Sequence, residues 1–115
     1  MKRLMGLVGL CARAGRLTTG EEACIKLIRS GRAKVAFLDA GASENARKAL
    51  GNACETGGVT LITLPEGELG LRSGKEGRMA AATADESFAG SMLDRYRLLS
   101  GVHELNGKSQ GAGRD

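Results

Sequence analysis

Residues 18–38 read TTGEEACIKLIRSGRAKVAFL, and this stretch decides the fold. Its first half has helical periodicity, with Cys24, Leu27 and Ile28 on one face. Thr18 with Glu21, and again Thr19 with Glu22, have capping-box spacing, which predicts a helix opening here under a threonine cap. Gly31 stops it. Val35-Ala36-Phe37-Leu38 then forms an apolar run of strand length, expected to be buried on both faces. A capped helix feeding a doubly buried strand is a building unit of layered α/β proteins.

Outward from this unit the alternation continues. Leu4, Leu7, Val8 and Cys11 predict a first helix over about 3–14, ended by Gly15 and followed by a short extended stretch over 16–19. Ser43 is expected to cap a third helix through about Glu55, with Ala46, Ala49, Leu50, Ala53 and Cys54 inward and Gly57-Gly58 as its stop. Val59 to Leu64 is rich in β-branched residues and reads as a strand. Pro65 suits the first turn of a short helix over 65–73. Met79 to Ala84 reads as an alanine-rich strand. Asp85 caps a last helix that presents Ala89, Met92, Leu93, Tyr96 and Leu99 at periodic positions and closes at Gly101. The expected architecture is a three-layer α/β/α sandwich with a small mixed sheet of about four strands. It is read as one domain over residues 1–101, with a flexible tail over 102–115.

Composition narrows the function. A chain of 115 residues, 42% hydrophobic and 26% charged, is globular and large enough for one modest core. Phe37, Phe88 and Tyr96 are its only aromatics, which argues against modules that stack unpaired bases on rings. Residues 1–34 carry eight basic groups against Glu21 and Glu22, a local charge of +6, while the other residues hold nine basic and eleven acidic groups, or −2. Such a basic third suits a polyanion, although chance clustering on a solvated surface gives the same count.

Other classes find little support. No apolar run is long enough to cross a membrane. The Met-Lys-Arg start resembles a signal peptide, but Gly6, Gly9, Arg13 and Arg16 interrupt it, and it is read as mature structure. Cys11, Cys24 and Cys54 are odd in number and widely spaced, which fits buried thiols in a reducing cytoplasm rather than disulfides or zinc. Gly70-Leu71-Arg72-Ser73-Gly74-Lys75-Glu76 is too short between its glycines for a phosphate loop, and Glu76 stands where a magnesium-binding hydroxyl belongs. The single histidine, His103, lies at the edge of the tail, off any rigid scaffold. No catalytic set, cofactor or metal is expected.

Two segments remain as candidate contacts. Thr19, Gly20, Glu21 and Glu22 lie at a helix N-terminus, where free amides and the helix dipole favour a phosphate. Lys26 follows Glu22 at i+4, so an amine and a carboxylate face one way and can meet guanine or cytosine edges. A plain capping box with an exposed Glu–Lys pair is the simpler account of the same residues. The loop from Ser73 to Arg78 is the second segment: Lys75 and Arg78 supply cations, Gly74 and Gly77 permit close backbone approach, and Glu76 lies among them. A solvated turn is the simpler account there.

The segment from Gly20 to Lys26, with Ile28-Arg29-Ser30-Gly31-Arg32-Ala33-Lys34-Val35, resembles the L-seven-Ae superfamily of ribosomal proteins, which bind kink-turns in RNA. Ala42-Ser43-Glu44-Asn45, Leu69-Gly70, Gly74-Lys75-Glu76 and Asp85-Glu86-Ser87-Phe88-Ala89 extend the resemblance over residues 3–99, most closely toward the bacterial YlxQ-like branch. The resemblance implies an α/β/α sandwich and a non-catalytic RNA-binding protein, associated with ribosomal or other structured RNA; the free chain is expected to be a monomer. It implies that Gly20 to Lys26 enters the RNA major groove at sheared G·A pairs. It also implies that Lys75 to Arg78 packs against a flipped-out nucleotide. Many archaeal and eukaryotic members have Asn-Glu where this chain has Glu22-Ala23, a change expected to alter the guanine contacts. A protein-interaction scaffold on the same fold, without specific RNA binding, is the alternative.

Overall fold

The computed structural model describes residues 1–105. Its elements in chain order are α1 (Lys2–Arg13), β1 (Thr18–Thr19), α2 (Glu21–Arg29), β2 (Val35–Asp39), α3 (Glu44–Gly57), β3 (Leu61–Leu64), α4 (Glu68–Ser73), β4 (Ala80–Thr83) and α5 (Glu86–Leu105). The four strands form one mixed sheet in the order β1-β4-β2-β3. β2 runs parallel to β3, while β4 lies antiparallel to β1 and β2. The expected three-layer sandwich and its mixed sheet are present.

Strand alternation divides the core in two. Val35 and Phe37 of β2, Ile62 and Leu64 of β3 and Ala81 of β4 face α1, α4 and α5, meeting Leu4, Val8, Cys11, Leu69, Ala89 and Met92. Ala36 and Leu38, with Ala80 and Ala82, face α2 and α3, meeting Cys24, Ile28, Leu50, Ala53 and Cys54. All three thiols are buried and free. Alanine has low strand propensity, yet β4 sits between two partner strands with helices on both faces. Pairing and burial override the local preference.

The caps agree in part with the reading of the sequence. Ser43 caps α3, its hydroxyl accepting from the Ala46 amide at 3.1 Å. Asp85 opens α5, its Oδ1 accepting from the Phe88 amide at 2.8 Å. Pro65 is not in the first turn of α4. That helix starts at Glu68 behind Gly67, and the Pro65 carbonyl accepts from the Glu68 amide in the turn before it. Helix α5 does not close at Gly101 but continues to Leu105, because a single glycine weakens a helix without ending it. The first four residues of the expected tail are therefore helical, and residues 106–115 lie outside the described residues.

Candidate nucleic-acid interface

Strand pairing brings the two candidate segments to one rim. The Ala80 carbonyl, at the start of β4, accepts from the Gly20 amide at 3.0 Å. Ala80 also pairs with Leu38 of β2, and the Asp39 amide donates to the Met79 carbonyl at 2.8 Å. The start of α2, the end of β2 and the loop entering β4 therefore meet at the same end of the sheet.

The threonine cap is not formed. Thr18 and Thr19 are strand residues, opposite Ala82 and Ala81, and Gly20 is the N-cap with no side-chain hydrogen bond. Pairing with β4 holds the chain extended up to Gly20. The turn into α2 then needs φ +102° and ψ 139°, a conformation essentially reserved for glycine. The first amides of α2 are left without a side-chain acceptor. This is a free helix N-terminus, where the dipole favours an anion.

Arg78 reaches this point from the other segment. Its Nη1 lies 3.3 Å from where a β-carbon on Gly20 would stand. No ion pair or hydrogen bond engages its guanidinium among the described residues. A cation beside the positive end of a helix adds to its attraction for an anion, against which the first-turn carboxylates of Glu21 and Glu22 act.

Glu21, Glu22 and Lys26 are exposed on α2 and, with Arg29, line a shallow depression of about 800 Å³. Glu22 and Lys26 share that surface but form no ion pair among the described residues. Of the simpler account of this helix start, the capping box is not formed, while Glu22 and Lys26 stand exposed on one surface as it expects. Its carboxylates and amine stand open to solvent.

The second loop is folded tightly on α4. A β-carbon on Gly70 would stand 3.4 Å from both the Gly77 amide nitrogen and the Lys75 carbonyl. The Lys75 amide donates to the Gly70 carbonyl at 3.1 Å, and the Arg78 amide to the Lys75 carbonyl at 3.3 Å. Between loop and helix lies a cavity of about 480 Å³, lined by Glu76, Gly77, Arg78, Met79 and Leu71. Leu71 is 69% exposed at its lip. The sequence offers a signal for it: Leu69 is the buried leucine of α4, so a leucine two positions on points away from the core. Asp39, fully buried at the cavity's base, accepts from the Gly41 and Gly67 amides, each at 2.9 Å. It braces both loops beside the site.

Not every expected residue joins the cluster equally. Thr19 is half-buried in β1 and positions Gly20 through the strand. Lys75 is exposed and is held there by its backbone. The basic first third is not one patch either. α1 lies in the layer with α4 and α5, and α2 in the layer with α3, so the sheet separates their cations.

Cys24 lies beneath the rim and donates through Sγ to the Thr18 carbonyl at 3.5 Å. Burial pushes its thiol up to about 12, with Cys54 adding to the rise and Arg78 opposing it. Burial also raises Cys11 and Cys54. These are protonated packing groups rather than nucleophiles. Among the described residues no group of His, Cys, Asp or Glu is placed to hold a metal ion, and no helix is long and apolar enough to cross a membrane.

Known proteins are similar to this chain in sequence or in structure. The RNA-binding protein YlxQ of Bacillus subtilis is 35% identical over 88 residues, covering 76% of this chain and 88% of that protein. A Bacillus halodurans structure of a protein with unknown function superposes with a TM-score of 0.74 at 27% identity, covering 79% of this chain and 93% of its own. The Giardia lamblia 15.5kD RNA binding protein shares the fold, with a TM-score of 0.66 at 21% identity and coverage of 80% and 79%. The model of the ribosomal protein L7Ae/L30e/S12e/Gadd45 family matches residues 2–92. With sheet order, layer assignment and the glycine-opened second helix in place, this chain belongs to the ribosomal protein L7Ae/L30e/S12e/Gadd45 family.

Proposed function

We propose that this chain is a non-catalytic RNA-binding protein that recognises structured RNA at a kink-turn, in the cytoplasm, as a monomer. The reading rests on one observation: Arg78 stands against the uncapped start of α2, so two segments far apart in sequence make one surface. Membership of the L7Ae family and the similarity to an RNA-binding protein support it.

The chemistry divides by residue. The free amides after Gly20 and the Arg78 guanidinium take a phosphate. Lys26 donates to guanine O6 or N7, while Glu21 and Glu22 accept from guanine N1 and N2 or from cytosine N4. Lys75 offsets the phosphate crowding that a sharp bend creates. Glu76 and Gly77 border the cavity that receives an extruded base, with Leu71 and Met79 as its apolar wall. Ribosomal RNA is the leading class of target.

Calorimetric titration with a kink-turn duplex and a straight duplex of equal length tests the reading. Preference for the kink-turn by tenfold or more, about 1.4 kcal/mol, is expected. Equal affinity for the two duplexes contradicts it.

A further inference from the structure

The RNA surface leaves the cations of α1 unused. The sequence KRLMGLVGLCAR carries Lys2, Arg3 and Arg13 with no acidic residue. Leu4, Val8 and Cys11 take its inner face into the core. On its outer side a groove of about 700 Å³ runs between α1 and α5, floored by Leu7, Leu10 and Leu98, with Arg3 and Arg13 along it. Leu10 is 49% exposed, and a β-carbon on Gly6 would meet nothing within 4 Å, so the floor is apolar and open. Arg3 and Arg13 have no ion-pair partner among the described residues, whereas Asp94, at the groove's edge, faces Arg97 at 4.0 Å.

These features select the occupant. A nucleic acid backbone would meet Arg3, Arg13 and Arg95 along the groove, but it would leave the floor of Leu7, Leu10 and Leu98 without an apolar partner. A second copy packed symmetrically on α1 would set Arg3 and Arg13 against their own equivalents. We propose that this groove docks an amphipathic helix of a protein partner, apolar along one stripe and acidic at both ends. Arg3 and Arg13 are ten residues apart on α1, roughly 15 Å at the helical rise. The partner's carboxylates then lie about ten residues apart, flanking anchors at i, i+3 or i+4, and i+7. The site lies across the sheet from α2 and does not depend on RNA binding.

The test is an amide chemical-shift titration of the full chain with a synthetic helix of about 14 residues, bearing three leucine anchors and glutamates at both ends. Shifts confined to α1 and α5 are expected, with affinity at least about tenfold above that for a lysine-ended version. Arg3→Glu with Arg13→Glu should invert that preference. Gly6→Leu fills open space and should abolish binding while the remaining spectrum stays native. The proposal is overturned by equal binding of the two peptides, by shifts centred elsewhere, or by no binding at millimolar peptide. A straight RNA duplex that moves these amides more than the peptide does also overturns it.

Discussion

The Arg78 guanidinium crosses the start of α2 at Gly20, 3.3 Å from the place a β-carbon would occupy. The loop before β4 thereby places its guanidinium beside the helix that opens 58 residues earlier in the chain. Two demands fall on Gly20 together: a backbone conformation closed to other residues and room for a guanidinium. Gly20→Ala should cost about 1–3 kcal/mol, seen as a lower midpoint in urea unfolding. It should also weaken RNA binding, because the guanidinium must move.

Lys26→Ala should lower kink-turn affinity by about 1–3 kcal/mol if the amine contacts a guanine bidentately. Arg78→Ala should weaken binding and reduce the salt slope by about one unit, as loss of a phosphate contact requires. Both side chains are exposed and unpaired, so the unfolding midpoint should barely change. Binding isotherms at several salt concentrations check both variants.

Asp39→Ala removes the acceptor of the Gly41 and Gly67 amides. Hydrogen bonds to a charged group are worth about 1.5–3 kcal/mol each, less where water can replace the acceptor. A loss of about 2–3 kcal/mol is expected in chemical denaturation. Faster amide exchange at both glycines would locate the effect at the rim.

Alkaline pH should destabilise the fold through Cys24. Its thiol ordinarily ionises near 9.0, but burial raises that to about 12 in the folded chain. Above pH 9 the unfolded chain releases this proton while the folded chain keeps it. Stability is therefore fully present below pH 9 and declines as pH rises toward 12, by up to about 1.4 kcal/mol per unit. Cys24→Ala should flatten this decline relative to wild type in urea unfolding between pH 8 and 10.5. Native Cys24 should also resist alkylation at pH 8.

Much of the layer plan was legible in the sequence because burial leaves a period. The β2 run and the stripes on α1, α2 and α3 read directly as core positions. The Ser43 and Asp85 caps were also legible, since the amides that donate to them lie three residues on. The start of α2 was not: Thr18 and Thr19 have capping spacing, but pairing with Ala82 and Ala81 of β4 claims them, and local spacing carries no record of so distant a strand. Nor was the division of the basic third, which depends on the face of the sheet each helix takes. The meeting of Arg78 with Gly20 was open to proposal from the loop order, but the contact follows only from the strand register. Leu71 carries no distinguishing signal in the sequence, because an isolated exposed leucine is ordinary on a protein surface.

If the start of α2 and the loop before β4 form one RNA-reading surface, both must respond to the same RNA. Amide chemical-shift mapping with a kink-turn duplex tests it most directly. Residues 20–26 and 74–79 should shift together, with one binding constant, while α1 and its groove with α5 stay still. Movement of one segment without the other, or shifts centred on α1, would contradict it.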